Sequence, residues 1–284
     1  MAERTPYDPS RTALFHPERQ ETLFAPGSSY SATQLAVEAA RLAYYRVEES
    51  QAQQARLAEA LARAGFTGLT LFGDPARGAA AFAAIGSDGT PLLSFRGTQP
   101  DNFKALLTDL RVKSIAWPES AGEVHEGFAL ALRSLKPHIT DWMARTTPDL
   151  SKLILTGHSL GAAMATLAAT IWRGEWLITF GSPRVGDAAF VASVIARYHV
   201  RFVDCCDAVT EEPRELLGYR HAGTPSYITQ DARILENPES SFIDKDRQTA
   251  RIDYARNYAW KVEQNAPFRD WADHALKNYA RAVF

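Results

Sequence analysis

The feature that most restricts the fold is an apolar segment that changes from strand character to helix character within five residues. Residues 153–156 form a short apolar run typical of a buried parallel strand, and residues 162–169 are rich in strong helix formers. The pentapeptide GHSLG at 157–161 leaves almost no room for a loop between them. A strand that turns directly into a helix forces its central residue, here Ser159, into a strained conformation with the side chain pointing outward.

The hydroxyl of Ser159 has two interpretations at this stage. It stands at a helix N-terminus, where unpaired N–H groups favour developing negative charge, so it suits a nucleophile. The same geometry also suits a turn serine with a purely structural role. An acid, a base and an oxyanion hole elsewhere in the chain are needed to decide between the two.

Composition allows a large core and gives no sign of a charged partner. The chain has 284 residues, of which 46% are hydrophobic, enough for one large domain or two small ones. Thirty-one basic residues nearly balance 33 acidic ones, so the sequence shows no footprint for nucleic acid or for an anionic membrane surface. No apolar run approaches the length that spans a bilayer.

Two features predict the cellular compartment. The first 20 residues are polar and contain no apolar signal-peptide core. The only cysteines, Cys205 and Cys206, are adjacent, and neighbours in a strand point to opposite faces, so a bridge between them would be strained. We therefore expect free thiols and a cytoplasmic location, with signal-independent export as the alternative.

The order of predicted elements indicates an α/β fold with a mainly parallel sheet and helices on both faces. A long helix from about Ala32 to Ala64, capped by Ser31 or Thr33, follows a loose leader of about 30 residues. The remaining predicted elements are antiparallel strands at 66–73, 78–86 and 91–98, later strands at 152–156, 175–180 and 200–206, and helices at 102–110, 126–145, 162–169 and 187–198. We expect one domain over residues 1–284, with the polar segment 229–270 forming surface helices or loops that partly cap a sheet edge.

Candidate partners for Ser159 lie where ligand sites of open α/β sheets gather, at the carboxyl ends of strands. Asp207 directly follows the strand at 200–206. Asp204, inside that strand, is the rival acid, although we expect it to pair with Arg201 or another neighbour. The chain order serine, acid, histidine, which α/β-hydrolases use, leaves His221 and His274 as the candidate bases among seven histidines.

Several motifs, in their order and spacing, resemble the class 3 lipases, the fungal-type triacylglycerol lipases and their bacterial and plant relatives. The resemblance covers about residues 91–279 and implies an α/β-hydrolase fold. The motifs that carry it are SFRGT (94–98), TDL (108–110), VHEGF (124–128), GHSLGAA (157–163), TFGSPRVGD (179–187), RFVDCCDAVTEEP (201–213), YRHAG (219–223) and DHALKNY (273–279).

The resemblance implies a role for each matching position. Ser159 would be the nucleophile, Asp207 the acid and His274 the base, while Thr98 and the backbone N–H of Leu160 would form the oxyanion hole. The remaining motif histidines, which would be structural, are His125, His158 and His221. No metal or other cofactor is implied, because the histidines and acids show no metal-ligand spacing.

A possible lid follows the oxyanion segment. Phe103, Leu106 and Leu107 fall on one face of the helix predicted at 102–110, where the family carries its lid. A lid helix covers the site with apolar side chains and exposes them at a lipid surface. The alternative is an ordinary amphipathic helix packed on the core.

These features together predict a serine carboxylic-ester hydrolase, a lipase or esterase that acts on acyl esters through an acyl-enzyme. Its partner would be an ester or lipid substrate, with a lipid–water interface as a further possibility. The alternatives are a phospholipase or acyltransferase with the same triad, or a catalytically inactive scaffold that binds ligands. Acyl-chain preference and oligomeric state do not follow from the sequence.

Overall fold

The computed structural model describes residues 6–98 and 113–284. Ten strands are described, and eight of them form the central sheet. Their bounds are β1 Phe66–Asp74, β2 Ala79–Gly86, β3 Pro91–Phe95, β4 Ser114–Ala116, β5 Glu123–His125, β6 Ile154–His158, β7 Trp176–Phe180, β8 Tyr198–Asp204, β9 Pro225–Ile228 and β10 Ile234–Glu236. The α-helices of the same described part are α1 Arg11–Phe15, α2 Ala32–Leu42, α3 Gln51–Arg63, α4 Glu126–Thr146, α5 Leu160–Ala169, α6 Ala188–Ser193, α7 Ser240–Asn257, α8 Arg269–Ala272 and α9 Leu276–Val283.

The central sheet has the order β1-β2-β3-β6-β7-β8-β9-β10, and its middle is parallel. Strands β3, β6, β7, β8 and β9 run in the same direction, and antiparallel pairs occur at the two ends. Every residue of β6 is buried, as expected for a strand that is covered on both faces. The mainly parallel sheet of the predicted α/β-hydrolase fold is therefore confirmed.

Helices cover both faces of the sheet and bury two apolar clusters. Helices α4 and α5 pack on one face, where Leu155 and Leu177 belong to the larger cluster. Helices α2 and α9 pack on the other face, together with side chains such as Ile178 and Phe180. Successive side chains of β7 point to opposite faces of the sheet, so the strand contributes to both clusters and is buried between them.

The long helix predicted over residues 32–64 is two helices. Ser31 caps α2 in a capping box with Gln34, and Ser50 caps α3 by accepting from the Gln53 N–H. The chain turns at residues 43–50 between the two helices, and Tyr44 and Tyr45 are buried in this turn. The periodicity was continuous enough to hide this break.

Two other predicted helices need comment. The one predicted at 187–198 is shorter, because α6 ends at Ser193 and β8 already begins at Tyr198. The one predicted at 102–110 lies outside the described residues. The polar segment 229–270 contains edge strand β10 and helix α7, most of which is exposed.

The N-terminal segment was predicted to be a loose leader, and this prediction is wrong for residues 6–30. Leu14 and Phe24 are buried in the two clusters. The Tyr7 hydroxyl donates to Asp273 Oδ1 at 2.8 Å, and Asp8 forms an ion pair with Lys277 at 2.7 Å. The polar composition concealed these anchors, because their hydrogen-bond partners lie more than 260 residues away in sequence. Among the described helices, none has the length and apolarity to cross a membrane.

Candidate active site

The junction between β6 and α5 forms the sharp turn that the sequence predicts. Ser159 has φ 57° and ψ −126°, a strained combination for a residue with a side chain. A Cβ on Gly157 would collide with the Gly161 carbonyl, and one on Gly161 would collide with the Phe95 carbonyl of β3. Both glycines are therefore needed for the close backbone approach that makes the turn possible.

The Ser159 side chain is enclosed rather than exposed. Ser159 is 1% exposed, and its Oγ makes no hydrogen bond with the described residues. The Ser159 N–H donates to the Phe180 carbonyl at 3.1 Å, which ties the turn to the neighbouring strand β7. The outward direction expected of this side chain thus leads into a covered site and not into open solvent.

Asp207 and His274 form a buried pair. His274 lies between α8 and α9, and its Nδ1 is 2.9 Å from Oδ2 and 3.0 Å from Oδ1 of Asp207. Because a carboxylate only accepts hydrogen bonds, the proton of a neutral His274 ring resides on Nδ1, and Nε2 is the nitrogen that carries no proton. This is the tautomer that a general base needs.

Two further donors hold the Asp207 carboxylate in place. The Val209 N–H donates to Oδ1 at 2.9 Å, and the Tyr279 hydroxyl donates to Oδ2 at 2.5 Å. Asp207 has no exposed surface, so these hydrogen bonds replace the water that its charge would otherwise require. Sequence reasoning did not assign a role to Tyr279, although the residue closes the DHALKNY motif.

Asp204 does not fit the role of the charged acid. Its carboxyl group is fully buried and makes no hydrogen bond with the described residues. Burial, reinforced by the neighbouring Asp273 carboxylate, raises the Asp204 pKa well above its ordinary value and so favours the neutral carboxylic acid. The expected pairing with Arg201 does not occur, because residues three apart in a strand point to opposite faces.

The other candidate base, His221, is already engaged. It lies in the loop before β9, and its Nε2–H donates to the Thr210 carbonyl at 2.8 Å. Burial and the nearby Arg201 guanidinium lower its pKa well below the ordinary value, so it is a neutral ring. His125 stacks on Phe128 with ring centroids 4.1 Å apart. These positions agree with structural roles for both histidines.

The predicted oxyanion residues stand at the same edge of the sheet. Thr98 follows β3 and lines a narrow cleft together with Tyr44, His158 and His274. Leu160 is the first residue of α5, where the N–H has no acceptor inside the helix. The proposed lid residues Phe103, Leu106 and Leu107 lie outside the described part of the chain.

One cluster in the described part has the composition of a metal site. Ligand atoms of Cys205, Cys206 and Asp273 lie within 4.8 Å of one another. Asp273, however, receives both the Arg269 Nε–H at 2.9 Å and the Cys206 N–H at 3.0 Å. A hydrogen bond with Cys206 and burial raise the pKa of the Cys205 thiol, which disfavours the thiolate that metals bind. The residues therefore fit a buried hydrogen-bonded cluster better than a metal centre.

Comparison with known proteins identifies sequences that are similar to this chain. The family described as Lipase (class 3) matches residues 92–216. A secreted mono- and diacylglycerol lipase from Fusarium solani is 39% identical over 114 residues, which cover 37% of this chain and 33% of the relative. A lipase from Rhizomucor miehei is 30% identical over 161 residues, covering 51% of this chain and 44% of the relative. The chain thus matches less than half of the length of these relatives.

Solved structures extend the likeness to most of the fold. The Rhizomucor miehei lipase in complex with its propeptide has a TM-score of 0.58 at 21% identity, covering 82% of this chain and 85% of that one. A triacylglycerol lipase whose catalytic centre is described as a serine protease triad has a TM-score of 0.55 at 25% identity, covering 70% and 78%.

The predicted cytoplasmic location is contradicted by these relatives. The lipases from Fusarium solani, Penicillium cyclopium and Penicillium camembertii are all named as secreted. The prediction relied on the polar first 20 residues and on the absence of disulfides. Cys205 and Cys206 are both buried, with their Sγ atoms 3.7 Å apart. The missing bridge reflects the strain of linking adjacent residues, so it carries no information about the compartment.

Proposed function

From the match of residues 92–216 to the class 3 lipase family, we propose that the protein is a class 3 lipase, a serine enzyme that hydrolyses the carboxylic esters of acylglycerols. The observation that carries the proposal is the buried Asp207–His274 pair, which lies at the same sheet edge as the strained Ser159 turn. The pair has the hydrogen-bond order that general-base catalysis by His274 Nε2 requires. The names of the relatives support acylglycerols as the substrate class.

In the proposed mechanism, His274 takes the proton of Ser159 as Oγ attacks the ester carbonyl. Asp207 keeps the His274 ring in the Nδ1–H tautomer and stabilises the imidazolium that forms. His274 then returns the proton to the leaving alcohol, which gives an acyl-enzyme on Ser159. Water, activated by His274, hydrolyses this ester and releases the fatty acid.

The oxyanion of each tetrahedral intermediate would be held by Thr98 and by the Leu160 N–H. The N-terminus of α5 adds its partial positive charge at the same point. Removing one donor of this kind costs roughly 3–4 kcal/mol of transition-state stabilisation in other enzymes. The enclosed position of Ser159 would increase the effect, because a low-dielectric site strengthens each hydrogen bond to the developing charge.

We propose further that residues 1–284 act as one domain outside the cytoplasm, at the surface of lipid aggregates. The anchoring of the N-terminal segment on Asp273 and Lys277 supports the single domain, and the secreted relatives support the location. The lid role of Phe103, Leu106 and Leu107 stays a prediction.

Hydrolysis of p-nitrophenyl esters from acetate to palmitate, measured beside the purified Ser159→Ala variant, tests this function. We expect Ser159→Ala to fold with an unchanged circular dichroism spectrum and to lose hydrolysis at every chain length. Rates that peak at long chains support a lipase, and rates that peak at butyrate or below point to an esterase with a small pocket. A folded Ser159→Ala variant that keeps full activity would refute the mechanism.

Product analysis separates the enzyme alternatives. Thin-layer chromatography after incubation with triacylglycerol, diacylglycerol and phosphatidylcholine should show free fatty acid from the acylglycerols. Release of fatty acid from phosphatidylcholine alone would favour a phospholipase, and acyl transfer to an added alcohol without net hydrolysis would favour an acyltransferase.

A further inference from the structure

Tyr44 and His158 stand between three segments of the candidate site, and the catalytic steps above use neither side chain. Tyr44 lies in the turn after α2, and its ring is buried. Its hydroxyl is 2.8 Å from Nδ1 of His158, the last residue of β6. His158 Nε2 is in turn 2.8 Å from the backbone carbonyl of His274. The chain therefore brings residues 44, 158 and 274 together through two buried hydrogen bonds.

The positions of the protons in these two hydrogen bonds follow from which groups can accept. The His274 carbonyl can only accept, so Nε2 of His158 carries a proton and donates it. Burial, reinforced by the nearby His274 ring, lowers the His158 pKa well below its ordinary value, so the ring is neutral. Its Nδ1 must then be bare, and the Tyr44 hydroxyl donates to it.

Tyr44 also contacts the oxyanion segment, residues 94–98. Gly97 packs directly against the Tyr44 oxygen. A Cβ on Gly97 would collide with the Tyr44 oxygen and would lie 2.7 Å from the His158 carbonyl. Only glycine allows this approach, and Gly97 directly precedes Thr98, the proposed oxyanion residue.

The neutral state of His158 also matters for the charge on His274. The two rings lie 4.3 Å apart between centroids, with planes tilted by 36°. A charged His158 at this distance would oppose the imidazolium that His274 must form when it takes the Ser159 proton. A hydrogen bond from Tyr44 to Nδ1 stabilises the neutral form, because a protonated Nδ1 could not accept it.

We propose that Tyr44 and His158 are positioning residues that hold the oxyanion segment, the Ser159 turn and the His274 loop in fixed positions relative to one another. Gly97 packs against the Tyr44 oxygen, the Tyr44 O–H donates to His158, and the His158 Nε2–H donates to the His274 carbonyl. The proposal rests on the proposed function, since it assigns these residues a task in the same site. Neither side chain needs to touch the substrate. Both act through the groups that they hold, and a 1 Å misplacement of such groups can cost about 100-fold in rate.

The first test compares Tyr44→Phe with Tyr45→Phe. Tyr45 is an adjacent buried tyrosine whose hydroxyl donates to the Gln20 carbonyl at 3.4 Å. We expect Tyr44→Phe to lower kcat on p-nitrophenyl butyrate about 100-fold with KM within twofold, and Tyr45→Phe to stay within twofold in both. Reaction of Ser159 with an alkyl fluorophosphonate should slow in parallel with kcat. A Tyr44→Phe protein with a lower Tm but kcat within threefold of the wild type would overturn the proposal.

The second test needs no substitution and no activity. In ¹⁵N-histidine-labelled wild-type protein, His158 should give the signals of a neutral ring with the proton on Nε2 at every pH from 8 to 5. A His158 that titrates in this range, or that carries its proton on Nδ1, would overturn the proposal even if the enzyme is active. If the wild type neither hydrolyses esters nor reacts with the fluorophosphonate, the proposed function fails, and the His158 tautomer still decides whether this hydrogen-bond chain exists.

Discussion

Replacing Gly181 with alanine would place a methyl group against the Asp207–His274 pair. Gly181 follows β7 with φ +57°, and a Cβ built on it would lie 2.7 Å from Asp207 Oδ2 and 3.1 Å from His274 Nδ1. Ordinary contact begins at about 3.5 Å, so one of these groups must move by about 0.8 Å. A shift of about 1 Å at catalytic groups can cost about 100-fold, and we expect Gly181→Ala to lower kcat/KM about 30- to 100-fold.

The control for this substitution is Gly78→Ala. Gly78 has φ +64°, and nothing lies within 4 Å of the Cβ that it would gain. Both variants should lose about 1–2 kcal/mol of stability from the left-handed backbone, or about 2–4 °C in Tm per kcal/mol. Only Gly181→Ala should lose activity, measured as kcat/KM on p-nitrophenyl butyrate at a temperature well below both Tm values. Activity of Gly181→Ala within threefold of the wild type, or an equal loss in Gly78→Ala, would refute the reasoning.

Three further outcomes are expected. Asp207→Asn should lower kcat about 10⁴-fold by favouring the wrong His274 tautomer. Asp204→Asn should keep kcat within threefold of the wild type, because burial favours the neutral form of its carboxyl; equal losses in the two variants would make Asp204 part of the catalytic machinery. Burial lowers the pKa of His199 to about 4, so its neutral form gives stability that is fully present above pH 6.5 and is lost as the pH falls toward 4. In urea titrations, His199→Gln should therefore gain about 2 kcal/mol relative to the wild type between pH 6.5 and 5, and a constant difference would show that His199 is not held neutral. Asp8→Ala, which removes the ion pair with Lys277, should lower Tm by a few degrees and speed proteolysis within residues 6–30 while kcat stays unchanged; protection equal to the wild type would show that this anchor is dispensable.

The parts of the fold that the sequence predicted are those governed by local patterns. The apolar run before Ser159 predicts β6, and the helix formers after it predict α5, with the turn between them. Each of these predictions depends only on residues that are close in sequence. The break at Tyr44 could not be predicted in this way. In this turn Tyr44 is hydrogen-bonded to His158, 114 residues further along the chain, and hydrophobic periodicity does not register such a contact.

The candidate site shows the same division. Asp207 and His274 could be named from motif order, and their hydrogen bonds agree with the assigned roles. The contribution of Tyr279 and the close approach at Gly181 could not be predicted, because both depend on how the β7 end meets the loop between α8 and α9. The packing of the N-terminal segment on Asp273 likewise depends on a contact between residues that are far apart in sequence.

Covalent labelling of Ser159 tests the proposed nucleophile most directly. The purified protein is incubated with an alkyl fluorophosphonate, and intact mass, tryptic peptides and residual esterase activity are followed together. We predict one phosphonyl group per chain, attached at Ser159, with activity falling in proportion to labelling, and no labelling in Ser159→Ala or His274→Ala. Stoichiometric labelling at another residue, or full activity after Ser159 is completely labelled, would contradict the assignment of Ser159 as the nucleophile.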